Sequence, residues 1–149
     1  GKAWSMFYGE HEHTLDDKRR LTLPARFRDE WEAGVVISKG LDANLDVYPD
    51  ATWRSSVETR LGELDSFSGE ARRLKRFFFH GTAVAVPDKQ GRVVLPPALV
   101  RHASLNKDVI VIGVQDHLEV WNREAWSQHL NAVEGSADDV AERLAEKRS

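Results

Sequence analysis

The chain contains no cysteine among its 149 residues. Disulfide bonds, thiol catalysis and cysteine-ligated metal sites are therefore excluded, which is typical of cytoplasmic proteins. No apolar run approaches the roughly 18 residues that a membrane-spanning helix needs, and no charged segment followed by an apolar stretch predicts a signal peptide. Hydrophobic residues make up 41% of the chain and charged residues 30%, as in ordinary globular proteins. We expect a cytoplasmic protein without a membrane segment.

Motifs for catalysis are also missing. The sequence has no glycine-rich phosphate loop and no local Ser/His/Asp or Lys/Glu arrangement. His11 and His13 would share one face of a strand, and imidazoles bind zinc, but no third ligand can be assigned to them. We therefore predict that the chain is not an enzyme and has neither a cofactor nor a metal. The alternative is an enzyme that holds a metal with both histidines and a carboxylate, and zinc in the purified protein would reveal it.

Positive charge does not predominate in the chain as a whole but is concentrated locally. The net charge of −3 argues against a uniformly basic nucleic-acid-binding protein. Five basic residues nevertheless lie within the segment 16–28, namely Lys18, Arg19, Arg20, Arg26 and Arg28. Counterion release depends on the cations that actually reach phosphates, so this distribution matters more than the total charge. We expect a single subunit to bind DNA weakly.

The basic segment has a second copy further along the chain. Four identical residue pairs recur at a spacing of 72, namely Asp16 and Asp88, Arg20 and Arg92, Leu23 and Leu95, and Pro24 and Pro96. Upstream, Phe7 and Gly9 match Phe79 and Gly81; downstream, after a slip of one residue, 45–48 matches 118–121 and Trp53 matches Trp126. These matches indicate an internal repeat of about 50 residues. Two units this small would bury little alone, so we expect one shared core.

Each copy is predicted to form a strand, a basic turn, a strand, a short helix and two further strands. The first copy comprises strand 7–15, turn 16–19, strand 20–23, a helix from 24 to about 31, and strands 35–38 and 45–48. The second comprises strand 81–86, turn 88–91, strand 92–95, a helix from 96 to about 103, and strands 109–114 and 118–121. A helix from Pro49 and another over 70–79 separate the copies. Asn122 is predicted to cap a last helix, which turns polar from Glu134 and ends in loosely held residues.

Two motifs together resemble a known family. Asp-x-x-x-Arg, followed three residues later by Leu-Pro, occurs at Asp16 and again at Asp88. The start Met-Phe-x-Gly at Met6 and the segment Leu-Glu-Val-Trp-Asn-Arg-Glu-Ala-Trp at 118–126 complete the pattern. The chain closely resembles the MraZ family of bacterial transcriptional regulators, which are built of two SpoVT-AbrB-type domains. One such motif alone would be unspecific, but two in this register are highly specific.

The resemblance implies an α+β fold. It is a pseudo-twofold tandem repeat of SpoVT-AbrB-type swapped-hairpin units, which form a small β-barrel-like core flanked by short and longer helices. The repeats would span 6–53 and 80–126, with connecting helices over 54–79 and a C-terminal helix and polar tail over 127–149. We expect residues 1–5 to be a cloning remnant and Met6 to be the native start. The resemblance also implies a ring-shaped homo-oligomer, often an octamer.

The resemblance further implies a nucleoid-associated, sequence-specific DNA-binding regulator. Such a protein binds short direct repeats upstream of the division and cell-wall gene cluster that includes its own gene, usually as a repressor. Carried over to this chain, the DNA contacts are Lys18, Arg19, Arg20, Gln90 and Arg92. Asp16 and Asp88 would orient the two arginines through charge-assisted hydrogen bonds. Because the two turns differ in sequence, we expect unequal roles, with the first turn dominant.

Arg19 departs from the family pattern, which usually has glycine at this position and keeps it at Gly91. If the turn needs a positive φ, Arg19 costs about 1 kcal/mol and shifts the loop.

Other interpretations remain open. The Asp–Arg pairs could be exposed salt bridges worth about 0–1 kcal/mol. The chain could be a protein-interaction scaffold whose basic face meets acidic partners, or another SpoVT-AbrB-type regulator or antitoxin, although those are typically single-copy chains. Two further residue sets have structural interpretations, packing for the tryptophans and a solvated helix face for the second basic cluster. They are Trp31, Trp53, Trp121 and Trp126, and Arg72, Arg73, Lys75 and Arg76.

Overall fold

The computed structural model describes residues 6–148. The expectation that residues 1–5 are a cloning remnant lies outside the described residues. The strands are β1 Glu10–Thr14, β2 Arg20–Thr22, β3 Val35–Lys39, β4 Leu45–Pro49, β5 Ala83–Ala85, β6 Arg92–Val94, β7 Asp108–Gly113 and β8 Leu118–Asn122. The helices are α1 Asp50–Trp53, α2 Thr59–Gly62, α3 Gly69–Gly81, α4 Pro97–His102 and α5 Arg123–Lys147. A 3-10 helix spans Ala25–Glu30, and a π-helical segment over Arg54–Glu58 joins α1 to α2.

The strands form two antiparallel sheets. The larger sheet has the order β1-β7-β8-β4-β3-β5, and β2 pairs with β6 in a separate two-stranded ribbon. The first strand of each copy pairs with a strand of the other copy, β1 with β7 and β5 with β3. The copies therefore exchange strands, as the resemblance implies, and neither could form its part of the sheet alone.

Equivalent residues face each other at the centre of both sheets. In the larger sheet Asp46 of β4 pairs with Glu119 of β8. In the ribbon Leu21 pairs with Val93. Because the members of each pair occupy the same position in the two repeats, a pseudo-twofold axis passes through both pairs. This symmetry places the two basic turns in equivalent positions around that axis.

The ribbon and one face of the larger sheet enclose the main hydrophobic core. The alternation of side chains along a strand turns Leu21 and Val93 inward, and both are buried. They belong to the same buried cluster as Leu45 and Val120 of the central strands. On the opposite face of the sheet, Tyr48 belongs to a second cluster, which lies under α1. The sheet thus separates the ribbon from the helical layer.

The core is not a β-barrel, contrary to what the resemblance implies. The larger sheet is open because β1 and β5 are its edge strands, each with a single neighbouring strand. The turns that follow these strands carry β2 and β6 out of the sheet, and there the two pair only with each other. A strand of three residues spans only about 10 Å, which is too short to close the sheet.

Two helices differ from the predictions. α3 continues to Gly81, two residues beyond its predicted end at Phe79. Phe79 lies in this helix, as predicted, whereas its counterpart Phe7 forms an isolated β-bridge. β5 is consequently shorter than predicted and begins at Ala83. α5 continues to Lys147, where the sequence predicts a polar tail. The reason is that alanine, glutamate, arginine, leucine and lysine are strong helix formers even without a broad apolar face.

The start of α5 agrees with the prediction. The side chain of Asn122 accepts a hydrogen bond from the amide of Ala125 at 3.0 Å, which satisfies one of the unpaired donors at the helix start. Among the helices within 6–148, none combines the length and the apolar character that crossing a membrane would require.

Asp46 is a charged residue at the pseudo-twofold axis, and only 17% of its side chain is exposed. Burial raises the pKa of Asp46 to about 6; Glu119 adds to the increase, whereas His117 and Asn44 counteract it. The unfolded chain would ionise this carboxyl group near pH 4. Keeping Asp46 ionised at neutral pH therefore reduces the free energy of unfolding.

Asp46→Asn is accordingly expected to stabilise the fold at pH 7.5. The folded-state pKa lies above the unfolded value, so the cost is absent below about pH 4, grows towards the folded-state pKa of about 6 and is complete above it. We expect the variant to gain about 1–3 kcal/mol at pH 7.5 and almost nothing at pH 4. Urea unfolding in metal-free buffer measures both values, with the exposed Asp139→Asn of α5 as the control. Equal gains at both pH values would contradict this explanation.

Candidate nucleic-acid interface

The first basic turn is held by a single carboxylate. Oδ1 of Asp16 accepts hydrogen bonds from the backbone amides of Lys18 and Arg20, both at 2.9 Å. Oδ2 of Asp16 accepts a hydrogen bond from Nε of Arg20 at 2.5 Å. One side chain therefore determines both the backbone path of the turn and the direction of the guanidinium.

The second turn repeats this arrangement. Oδ1 of Asp88 accepts from the amides of Gln90 and Arg92, both at 2.9 Å, and Oδ2 accepts from Nε of Arg92 at 2.8 Å. In both turns the amide of the arginine is the largest influence that lowers the pKa of the aspartate, and the guanidinium lowers it further. Both aspartates are therefore ionised at neutral pH and hold their arginines by charge-assisted bonds.

The turn requires a left-handed residue before the arginine. The φ angle is 58° at Arg19 and 77° at Gly91, a conformation that costs a non-glycine residue about 1 kcal/mol. The loop is not shifted, contrary to the sequence-based expectation. The amide of Arg19 donates to the carbonyl of Asp16 at 3.0 Å, as that of Gly91 donates to Asp88 at 2.9 Å. The aspartate network keeps the first turn in the same geometry as the second.

The ribbon connects the two turns. The carbonyl of Arg19 accepts a hydrogen bond from the amide of Leu95, and the carbonyl of Gly91 accepts one from Leu23, both at 2.9 Å. Because Arg19 and Leu23 lie at opposite ends of the same strand, the turns flank the ribbon at its two ends. Four residue steps of extended chain place them about 13 Å apart.

The outer face of the ribbon presents both arginines. Arg20 lies opposite Val94 and Thr22 lies opposite Arg92, so the arginines occupy diagonal positions. Their side chains are 27% and 29% exposed. Within 6–148 each pairing with aspartate uses only Nε, which leaves Nη1 and Nη2 available to an external acceptor. This surface can offer two guanidinium groups in fixed directions.

Two more cations lie at the second turn and are missing from the predicted contacts. Lys89 is exposed within the turn. Arg28 reaches it from the first copy, since a Cβ added to Gly91 would lie 3.2 Å from Nη2 of Arg28. The sequence of the second turn contains Lys89, so a count of all charged residues in that turn identifies it. Arg28 belongs to the basic segment 16–28, but its approach to the second turn depends on the fold. With Lys89 included the two turns carry the same net charge, because Asp17 offsets one cation of the first.

Other basic residues have structural partners. The guanidinium of Arg26 lies 4.3 Å from the ring centroid of Tyr8, a cation–π contact. Arg72 of α3 donates from Nη1 to the carbonyl of Ser66 at 3.0 Å, and Lys75 donates to Oγ of the same serine at 3.3 Å. Arg26 therefore packs against Tyr8, and Arg72 and Lys75 fix the loop that precedes α3.

Three tryptophans of the segment 6–148 belong to the packed interior, and a fourth, Trp126, is partly buried. Trp31, Trp53 and Trp121 are at most 5% exposed, which supports packing over base stacking. Trp126 donates a hydrogen bond from Nε1 to Glu10 at 2.8 Å and so attaches α5 to β1.

Arg19→Gly is expected to increase the free energy of unfolding by about 0.5–1 kcal/mol. Glycine relieves the left-handed strain but gains entropy in the unfolded chain, which reduces the net effect. Gly91→Ala is expected to have the opposite effect of similar size. Chemical denaturation measures both, with Lys18→Ala in the same turn as the control. A destabilised Arg19→Gly variant would show that Arg19 is not strained.

Comparisons with known proteins agree with this architecture. The family model described as "MraZ protein, putative antitoxin-like" matches the chain twice, over residues 6–77 and 78–148. The protein from Pediococcus pentosaceus, named Transcriptional regulator MraZ, is 41% identical over 139 residues, which cover 93% of this chain and 96% of the relative. Proteins of the same name from Limosilactobacillus fermentum and Roseiflexus sp. are 43% identical over 136 residues and 41% identical over 143 residues. These alignments cover 91% and 96% of this chain, and 94% and 99% of the relatives.

These relatives bear the name of a transcriptional regulator rather than of an enzyme, which agrees with the prediction that the chain is not an enzyme. The two matches of the family model, one for each copy of the repeat, and the identity above 40% over nine-tenths of the chain lead to one conclusion. The chain belongs to the MraZ family.

Proposed function

We propose that this chain is a transcriptional regulator that binds double-stranded DNA through the β2–β6 ribbon and the two basic turns. The observation that carries the proposal is the pair of arginines, Arg20 and Arg92, each held by an aspartate and placed diagonally on one exposed face. No catalytic role explains two such turns related by pseudo-twofold symmetry. Recognition of a repeating, negatively charged surface explains both.

A two-stranded ribbon fits the major groove of B-DNA, which is about 12 Å wide. In that groove the Nη atoms of Arg20 and Arg92 can donate to O6 and N7 of guanine. Because the aspartates already fix both side chains, little rotamer freedom is lost on binding. Lys18, Arg19 and Gln90 would contact phosphates, which position the protein without reading the sequence.

One subunit offers few cations and a net charge of −3, so single ribbons would bind weakly. A ring-shaped, octamer-like homo-oligomer would join several ribbons and raise the avidity without new contacts. Its DNA site would then consist of short direct repeats spaced by about 10–10.5 base pairs or a multiple. We place this site upstream of the division and cell-wall gene cluster that contains the protein's own gene. There the nucleoid-associated protein would act as a repressor.

Two alternatives differ in the partner. The family description contains the term antitoxin-like, but a single-copy antitoxin completes its fold by dimerisation. Here the β1–β7 and β5–β3 pairings complete the sheet within one chain, which favours the regulator. A scaffold that binds acidic proteins would use the same cations without any need for two oriented arginines.

Arg20→Ala and Arg92→Ala are each expected to weaken binding to the upstream DNA by about 5- to 150-fold, because each removes a base-reading group. The larger loss is expected for Arg20→Ala. Arg54→Ala is the matched control, since Nε of Arg54 also pairs with an aspartate four residues earlier, Asp50, at 3.0 Å, but lies in the helical layer. Fluorescence anisotropy measures the affinities.

Equal losses in the two ribbon variants would contradict a dominant first turn. Unchanged DNA affinity in both variants would contradict the proposed DNA contacts and favour the protein-interaction scaffold.

The second experiment compares intact upstream DNA with the same DNA after its direct repeats are scrambled. We expect tight binding only to the intact repeats and poor binding to a single box. Affinity should fall steeply between 50 and 200 mM salt, since several phosphates are neutralised in each complex. Light scattering on the free protein measures the number of subunits. Equal binding to intact and scrambled DNA would contradict sequence-specific regulation.

A further inference from the structure

A cavity of about 560 Å³ lies on the helical side of the larger sheet. Asp46, His117 and Glu119 line it together. Asp46 and Glu119 are the pair at the pseudo-twofold axis, and His117 directly precedes β8. The first copy thus contributes one of the three side chains and the second copy contributes two. The ribbon packs on the opposite face of the sheet, so the cavity is separate from the proposed DNA-binding surface.

The three side chains converge on one point. Nε2 of His117 lies 3.7 Å from Oδ1 of Asp46 and 4.0 Å from Oε2 of Glu119. One ligand atom from each residue lies within 4.8 Å of the others. These separations are too long for hydrogen bonds. The two distances from Nε2 lie within ion-pair range for a protonated imidazole. They are also about 0.3–0.6 Å longer than the spacing of about 3.4 Å between ligand atoms around a tetrahedral ion with bonds of 2.0–2.2 Å.

Each of the three side chains is oriented by a residue outside the group. Nδ2 of Asn44 donates to Oδ1 of Asp46 at 3.0 Å, and Nε1 of Trp121 donates to Oε1 of Glu119 at 2.8 Å. Nδ1 of His117 lies 2.8 Å from Oδ1 of Asp116. A carboxylate beside a ligating histidine and hydrogen bonds to ligating carboxylates are typical of metal sites, because they fix the ring or carboxylate before the ion binds.

Nε2 of His117 is the ring nitrogen directed at the two carboxylates. In the tautomer that donates from Nδ1 to Asp116, Nε2 carries the lone pair that a metal ion requires. The ring of Tyr48 stacks on His117 with centroids 4.4 Å apart, and only 13% of the imidazole is exposed. Arg60 also lines the cavity, yet the part of the chain that the structure describes contains no ion pair between it and these carboxylates.

We propose that Asp46, His117 and Glu119 bind a divalent transition-metal ion of the Zn²⁺ type between the two repeats. One imidazole nitrogen and two carboxylate oxygens suit Zn²⁺ better than Mg²⁺, which prefers an all-oxygen octahedral set. The cavity leaves room for a water molecule or an external ligand at the fourth position. The ion would link β4 of one copy to β8 of the other and neutralise the two facing carboxylates.

The test is a titration of chelator-treated full-length protein with Zn²⁺ and, separately, Mg²⁺ by isothermal calorimetry. We expect one Zn²⁺ per chain, at least about 10-fold weaker binding of Mg²⁺, and a Zn²⁺-dependent increase of Tm. Asp46→Asn, His117→Gln and Glu119→Gln should each weaken Zn²⁺ binding at least about 10-fold. His13→Gln is the matched control, because His11 and His13 form the other candidate pair, with ring centroids 6.4 Å apart.

The variants distinguish ion binding from folding. Circular dichroism and the metal-free Tm of each variant measure its folding, so loss of Zn²⁺ binding in a folded variant cannot be ascribed to misfolding. If Zn²⁺ binding is lost in His13→Gln and retained in the other three variants, the ion binds at the His11–His13 pair and the proposal is wrong. Absence of Zn²⁺ binding to the native protein, or an unchanged Tm, would also overturn it.

Discussion

The antiparallel pairing of equivalent strands across the pseudo-twofold axis is the constraint on which the structure depends. β4 meets β8 in the larger sheet and β2 meets β6 in the ribbon. Each copy also places its first strand at the edge of the other copy's part of the sheet. Neither copy could bury its apolar face alone, because the inward residues of each strand require the strands of the other. Within this chain each copy therefore completes the other's part of the sheet, and the duplication also provides two equivalent turns.

The two turns show how a small number of hydrogen bonds can prepare a binding surface. One carboxylate in each turn accepts two amide hydrogen bonds and one from a guanidinium. The same three bonds recur in the second turn although its sequence differs at three positions. The aspartate and arginine are therefore the parts of the turn that determine its geometry. The residues between them differ in charge between the two turns, and Arg19 of the first turn stands where the second turn has Gly91.

The pseudo-twofold axis passes through residues of different character in the ribbon and in the larger sheet. At the ribbon the axis passes through two apolar residues, Leu21 and Val93. Their burial holds the ribbon against the larger sheet. At the larger sheet it passes through Asp46 and Glu119, two acidic residues on the face away from the core. A like-charged pair at this position costs stability, so the arrangement is more easily understood if the pair has a ligand. The proposed ligand is a divalent metal ion, for which the cavity offers space and His117 a third coordinating group.

The repeat, the two basic turns and the alternating strands could be predicted from the amino-acid sequence, because local periodicity and turn chemistry depend on neighbouring residues. The Asp–Arg pairs could be predicted as well, because their members are only four residues apart. That the sheet is open could not be predicted, since this depends on where short strands find partners. The diagonal placement of Arg20 and Arg92 and the approach of Arg28 to the second turn likewise depend on the tertiary structure. The convergence of Asp46 with His117 and Glu119 arises from the register between two strands far apart in the chain, and no local pattern of residues encodes that register.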